Sequence, residues 1–376
     1  MKEVPMWTIT ENKDWAYLET RFDWIKRMEN VPQDAIYHAE GNVAIHTKMV
    51  LEALMAQPAY QQLLAQEQEI LWAAALLHDV EKYSTTVIEP DGRITSNGHA
   101  RKGAMTARQI LYREAPASFT VREQVVSLVR YHGLPLWVFE KLDPAKALTI
   151  ASMEVNTQWL ALLARADVLG RICTDQDEML YKIDCFEAFC REQSCWGTAR
   201  NFATNEAKMY YMQHENAYSD YVPFEQPGAE VILMSGLPGA GKNTYIQKHY
   251  PDLPVVSLDD IRVARAISPT DKSGNGMVIQ EAKEQARVFL RKQKSFIWNA
   301  TDITRQMRLQ LVELFITYKA AVKIIYVEVP YRELLKQNRN REAAIPDIVL
   351  ERLIDKLEVP ALWEVHEVSY SVAEVI

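Results

Sequence analysis

Four residues in the first half of the chain are of a type and in an order that suggest a metal centre: His46, the adjacent His78 and Asp79, and the distant Asp167. His78 and Asp79 close the very apolar segment "ILWAAALLHD", and Asp167 interrupts the equally apolar "LALLARADVLG". A carboxylate among such side chains is costly unless it is paired or binds a metal. Imidazole nitrogen together with carboxylate oxygen suits a divalent transition metal or magnesium. Any one of these residues alone is unremarkable in a helix. The ordered set in apolar surroundings is read as a set of metal ligands.

A second set lies in "SGLPGAGKNT", Ser235 to Thr244. Gly236 to Lys242 fits GxxxxGK, between a predicted strand and a predicted helix, which is the context this motif requires. Here Gly236, Gly239, Ala240 and Gly241 let backbone N–H groups wrap phosphate oxygens, with Asn243 and Thr244 next in line. Lys242 is expected to reach the β- and γ-phosphates of ATP or another nucleoside triphosphate carried with Mg2+. The helix N-terminus adds partial positive charge. Most such loops place a hydroxyl after the lysine as a magnesium ligand. Asn243 offers an amide oxygen instead, a weaker hard ligand, and Thr244 falls one residue late.

Further along, "VSLDDIR" sets Asp259, Asp260 and Arg262 at the C-terminal edge of a predicted strand, where sites form in open α/β sheets. A carboxylate there can take the proton of an attacking hydroxyl, and an arginine can hold the acceptor's own phosphate. Asn299, Thr301 and Asp302 end another strand and are placed to shape the acceptor groove. Arg339 and Arg341, in "QNRNREAAIP", sit where a lid could bring positive charge to the transferred phosphoryl group.

The elements that must position these residues change type near "YVPFEQPG", Tyr221 to Gly228. Before it, apolar residues recur every three to four positions in "NVAIHTKMVLEALMA", "EILWAAALLHDVEKY", "GHARKGAMTARQILYREA", "VREQVVSLVRYHG" and "LTIASMEVNTQWLALLARADVLGRI", each predicting a helix. "EPDGRITSNG" reads as a loop. After it, short apolar runs ("EVILMSG", "LPVVSLDD", "KSFIWNAT", "AVKIIYVEV") alternate with helical segments, predicting a parallel sheet covered on both faces. The expected organisation is an all-α bundle over residues 1–222 followed by an α/β P-loop domain over 229–376.

With 376 residues there is room for two cores, and 42 basic against 50 acidic residues give a net charge of −8. That balance argues against a general nucleic-acid coat, so any phosphate recognition is local. No apolar run reaches membrane-spanning length, and the start "MKEVPMWTITENKDW" lacks the apolar core of a secretory signal. Cys173, Cys185, Cys190 and Cys195 form no CxxC pair and are read as reduced thiols. A cytoplasmic protein is expected.

The set His46, His78-Asp79 and Asp167 resembles the HD superfamily of metal-dependent phosphohydrolases, over roughly residues 30 to 200, with "HAEGNVAIHT", "HDVEK", "NGHARKGA" and "RYHGLPLW". The resemblance implies that His99 and His132 supply a second metal and that Asp79 bridges two ions, so one or two divalent ions are expected. Lys82, one turn beyond His78, is a candidate for holding a phosphate oxygen. His38, Arg101, Lys102, Arg130 and Arg171 are further candidates for that role.

The P-loop and "DDIR" resemble the polynucleotide 5′-kinase family over about residues 229 to 360. By that resemblance Asp259 is the general base and Arg262 the acceptor clamp. Ile261 stands where the family's phage enzyme has an aromatic residue. An HD phosphohydrolase ahead of such a kinase is similar to bacterial HD-Pnk RNA end-healing enzymes. The implied substrates are RNA ends, or DNA ends, with an RNA ligase acting downstream. The kinase would phosphorylate a 5′-OH and the HD half would remove a 2′,3′-cyclic or terminal phosphate. Ribonucleases that leave a cyclic phosphate also leave a 5′-OH, so one break needs both activities. Two alternatives remain open at this point: an HD nucleotidase acting on free nucleotides under a regulatory P-loop domain, and a small-molecule kinase.

Overall fold

The computed structural model describes residues 6–224, 228–268, 271–341 and 344–373. The chain divides into two compact units, one ending at Asn201 and one beginning at Phe202. The expected linker at residues 221–228 therefore lies inside the second unit, and its residues 225–227 fall outside those described. The division comes earlier because Met209, on the helix Asn205–Gln213, packs into the same core as Val231 and Leu233.

The first unit is a helical bundle around the segment Ala65–Leu77, whose Ile70 to Leu77 are all buried. A helix that is apolar on every side belongs in the centre of a bundle. The helices Val43–Ala56, Phe119–Tyr131 and Thr157–Leu169 pack against it. The helix His99–Arg113 pairs with Phe119–Tyr131.

Two expectations need correction here. The long helix expected over 148–172 is two helices, Pro144–Ser152 and Thr157–Leu169. Asn156 starts the second by accepting from the backbone N–H of Gln158 and Trp159, which is what an N-cap asparagine does. The expected loop "EPDGRITSNG" joins and partly forms a small antiparallel hairpin, β1 (Val87–Ile88) and β2 (Ile94–Thr95).

One close approach draws the bundle together at its site. A Cβ on Gly170 would lie 2.6 Å from Val50 Cγ2 and 2.7 Å from Val50 N. Only glycine lets the end of Thr157–Leu169 touch the backbone of Val43–Ala56.

The second unit is a five-stranded sheet, all parallel, in the order β4-β5-β3-β6-β7. The strands are β3 (Glu230–Ser235), β4 (Val255–Ser257), β5 (Phe296–Asn299), β6 (Ala321–Glu328) and β7 (Glu367–Val372). Helices occupy every crossover, as parallel strands require. The near-continuous burial of β3 and β6 fits strands covered on both faces. Because β3 lies between β5 and β6, the strand order reverses there. The crevice beyond the carboxyl end of β3 is thus the topological switch point, where ligands bind in such sheets.

Candidate active sites

In the first unit, the central helix ends at Leu77 and His78 caps it. The chain then turns, with Val80 N–H on Leu77 O and Lys82 N–H on Asp79 O, and this turn points Asp79 into the bundle. Asp79, His46, His78, His132 and Asp167 are all buried. The ligand atoms of His46, His78 and Asp79 lie within 4.8 Å of one another, and so do those of Asp79, His99 and His132. Asp79 belongs to both groups.

The hydrogen bonds of these histidines follow one pattern. Nδ1–H donates to a backbone carbonyl in His78 (Ala75, 2.7 Å), His99 (Ser96, 2.7 Å) and His132 (Val129, 2.9 Å). In His46 it points at the Gly170 carbonyl (3.2 Å) and the Glu40 carboxylate (2.9 Å). Committing Nδ1–H fixes the tautomer and leaves each Nε2 with its lone pair. Those lone pairs converge. His99 Nε2 is 3.2 Å from His132 Nε2 and 3.4 Å from Asp79 Oδ1, and His78 Nε2 is 3.2 Å from Asp79 Oδ2. His78 Nε2 and Asp79 Oδ1 make no hydrogen bond within the protein, whereas Asp79 Oδ2 meets the Lys82 ammonium. Buried acceptors crowded together in this way, with the Lys82 ammonium reaching only one of them, are what a further cation relieves. The residues present fit one or two divalent ions.

The electrostatics set His78 apart from His99 and His132: burial works against its charged form, but the Asp79 and Asp167 carboxylates beside it raise its pKa, so positive charge is favoured at this spot. Burial, with His99 and His78 alongside, pushes the His132 imidazole down to about 3, and burial also lowers that of His99, so both are neutral. Burial opposes ionisation of Asp79, yet the charges of His78 and Lys82 hold its carboxyl well below the usual carboxylate range.

Asp167 is placed beside His46, with Oδ1 3.0 Å from Nε2. Arg171 grips it through Nε (3.1 Å) and Nη2 (2.6 Å), so this arginine serves to hold a carboxylate. Lys82 Nζ lies 2.8 Å from Asp79 Oδ2 and 2.8 Å from Gln33 Oε1. Of the weaker candidates, Lys102 pairs with Glu81 at 3.1 Å and Arg130 lies over the Tyr131 ring. Arg101 is exposed.

Glu40 was not legible beforehand. Its Oε1 takes both His46 Nδ1 and His38 Nδ1 (2.8 Å), and its Oε2 accepts from Ile172 N–H (2.9 Å). Burial works against this carboxylate, but the two histidines hold its pKa below the ordinary value. "HAEG" carries it two residues from His38, a spacing with no periodic signal.

In the second unit, the loop after β3 carries Gly236 at φ +147°, where a Cβ would lie 2.4 Å from Val327 O. Gly239 and Gly241 are at φ +87° and +99°, and Ala240 N–H closes a turn on Leu237 O. The helix Lys242–His249 begins at once, with Gly241 as its N-cap. Lys242 Nζ folds back on the carbonyls of Gly236 (2.8 Å) and Leu237 (3.1 Å). Desolvation pushes its ammonium down to about 8. Thr244 is exposed.

Asp259, Asp260 and Arg262 lie on the short helix Leu258–Ala264 directly beyond β4, instead of on the strand itself. Ser257 caps it by accepting from Asp260 N–H. Arg262 pairs with Asp259 at 2.5 Å and donates to Asn275 at 2.7 Å. Asp302 is buried and accepts from the Trp298 indole at 3.0 Å. Burial pushes its carboxyl up to about 7. Thr301 O receives Gly236 N–H and Asp302 O receives Ser235 Oγ–H, so this turn braces the phosphate loop more than it lines a groove. Arg339 lies in the last turn of the helix Tyr331–Asn340 and pairs with Asp347 at 2.7 Å, and Arg341 caps that helix. Residues 342–343 of the expected lid lie outside those described.

Residues 43–169 match the family model of the HD domain, and residues 231–360 match that of an AAA domain. The chain thus joins a helical HD domain to a P-loop, kinase-like α/β domain. No curated protein matches it. Among solved structures, a kinase candidate from Chloroflexus aurantiacus J-10-fl is 16% identical, with 39% of this chain and 87% of that one covered, at a TM-score of 0.34. A sugar kinase from Janibacter sp. HTCC2649, in unliganded form, is 18% identical over 39% of this chain and 86% of its own, at 0.30. Among the described residues no helix is long and apolar enough to cross a membrane, and all four cysteines are free thiols.

Proposed function

We propose that the chain is a bifunctional polynucleotide end-healing enzyme of the HD-Pnk kind. Its first unit removes a 2′,3′-cyclic or terminal 2′/3′-phosphate, and its second transfers a phosphoryl group from a nucleoside triphosphate to a 5′-OH. RNA ends are the favoured substrate, handed on to a ligase. The observation that carries this reading is the joining, in one chain, of a buried His-Asp cluster whose Nε2 atoms converge on Asp79 with a phosphate loop flanked by a carboxylate and an arginine.

In the first unit His46, His78, Asp79, His99, His132 and Asp167 would hold the ions. When bound, one or two divalent ions supply Lewis acidity to the phosphoryl oxygens and an acidified water. Lys82, fixed by Gln33, presents its ammonium beside Asp79 and binds a phosphate oxygen. Arg171 keeps Asp167 ionised and in place. In the second unit the loop N–H groups and Lys242 hold the triphosphate, and Lys242 exchanges the carbonyls of its own loop for phosphate oxygens. Asp259 takes the proton of the 5′-OH. Arg262, which holds Asp259 in the free protein, turns to the acceptor's phosphate. Arg339 and Arg341 neutralise charge on the transferred group.

The test is a single incubation of the protein with labelled ATP, divalent metal and an RNA bearing a 5′-OH and a 2′,3′-cyclic phosphate, with both ends analysed. Labelling at the 5′ end and opening of the cyclic end are expected. Hydrolysis of free nucleotides with no label on any 5′-OH polynucleotide would replace this reading with that of a nucleotide-regulated HD nucleotidase.

A further inference from the structure

P-loop enzymes hold magnesium with a hydroxyl directly after the loop lysine and with a carboxylate near the end of a strand beside the loop. In this chain the first position is Asn243. Its partner is Asn299, the last residue of β5, whose register places it beside Met234 of β3 and Ser257 of β4. Asn299 Nδ2 donates to Asn243 Oδ1 at 2.9 Å. Among the described residues these two amides hydrogen-bond only each other. Whichever amide donates, the pair is neutral and one of its oxygens is already taken.

In the free protein neither Asp302 nor Asp259 stands open to take over. Asp302 is buried with Oδ2 on the Trp298 indole. Asp259 is paired with Arg262. Magnesium sites rest on one or two carboxylates together with substrate phosphates, so these residues do not fit a magnesium ion held by the protein.

We propose that Asn243 and Asn299 act as one neutral amide pair in place of the usual hydroxyl and carboxylate, so that these two positions offer the divalent ion no anionic ligand and the unit takes it as part of the metal–nucleotide complex. The pair keeps the helix Lys242–His249 docked on the end of β5. Affinity for nucleotide then comes from the backbone cradle and Lys242, which do not depend on the metal. The inference rests on the reading of this unit as nucleotide-binding, and its test separates the two.

The full-length protein is titrated with the β,γ-imido analogue of ATP, once in EDTA and once in excess Mg2+, and only binding that Lys242→Ala removes is scored. The wild-type affinities should agree within about threefold, whereas N243S/N299D should favour the magnesium complex by about tenfold or more. A wild-type preference for the magnesium complex of tenfold or more, lost in N243A/N299A, would overturn the proposal. Should the double variants fail to fold, the wild-type ratio decides alone. No Lys242-dependent binding in either condition sinks the nucleotide reading itself, and the inference with it.

Discussion

The two sites of this chain are built from opposite materials. The HD centre is made of side chains brought from segments as far apart as His46 and Asp167, and each is aimed by a bond behind it. The phosphate loop is made of backbone, with Lys242 as its one charged contributor and an amide pair behind it. The first is buried and preloaded with unsatisfied acceptors. The second satisfies itself in the free state, with Lys242 on its own carbonyls. A site of side chains stores its specificity in a donor set and is fragile to single substitutions. A site of backbone stores it in φ angles and is fragile chiefly at glycine.

The sharpest way to break that contrast is Asp79→Ala. Asp79 is common to both ligand groups, so its loss should remove bound metal and reduce phosphoesterase activity to background. Phosphorylation of a 5′-OH should persist, because its residues lie in the other unit. Metal analysis by mass spectrometry with paired end assays checks this, and unchanged metal content with near wild-type hydrolysis would refute the ligand assignment. Asp259→Ala should do the reverse, less completely. Losing a general base costs about 10²–10⁴ in rate, while nucleotide binding and cyclic-phosphate opening stay. If this variant labels RNA at the wild-type rate, Asp260 becomes the candidate base.

The difference in materials also governs what could be read beforehand. The loop was legible because a backbone cradle writes its glycines at fixed intervals, and Gly236, Gly239 and Gly241 all occupy positive φ. The buried His-Asp cluster was legible because His78, Asp79 and Asp167 stand out in apolar helices. Four of the strands, β3 to β6, were legible from their short apolar runs, but β7 was not. As an edge strand its "EVSYSV" is only half-buried, so it lacks the continuous apolar run. Glu40 was hidden because it lies in a loop and acts through His46 and His38, and no helical period marks such a partner. The Asn243–Asn299 contact spans 56 residues, and only the β3–β5 register brings it together. Strand was read through Asp260, three residues too far, because the apolar run "LPVVSL" crosses the Ser257 cap without a break.

Glu40 sharpens the comparison from the HD side. Its carboxylate stands behind His46 as the carbonyls of Ala75, Ser96 and Val129 stand behind the other histidines. Glu40→Gln keeps the shape and the Ile172 bond but withdraws the charge. Removing such outer partners typically lowers metal affinity by about 10–100-fold. Chelator competition should show that loss, excess metal should restore most hydrolysis, and kinase activity should not change. An unaltered metal affinity would mean that the Gly170 carbonyl alone orients His46.

The smallest effect tests the claim that the phosphate loop has a single working charge. In the free protein desolvation sets Lys242 near 8, far below an ordinary lysine, so above that pH the ammonium is progressively lost. Triphosphate oxygens in contact with Lys242 favour its charged form and raise its pKa again. The sign follows by linkage: below pH 8 the proton is already present and binding is insensitive to pH, while above it binding must take up a proton. Nucleotide affinity should therefore fall above pH 8 by up to about tenfold per pH unit, with uptake approaching one proton. Calorimetry at pH 7 and pH 9, in buffers of different ionisation enthalpy, measures that uptake directly. Lys242→Arg stays charged throughout the range and should bind with a flat profile. A wild-type profile equally flat to pH 9.5 would show that Lys242 keeps its proton in the free loop, and that its contacts with the Gly236 and Leu237 carbonyls hold the charge against desolvation.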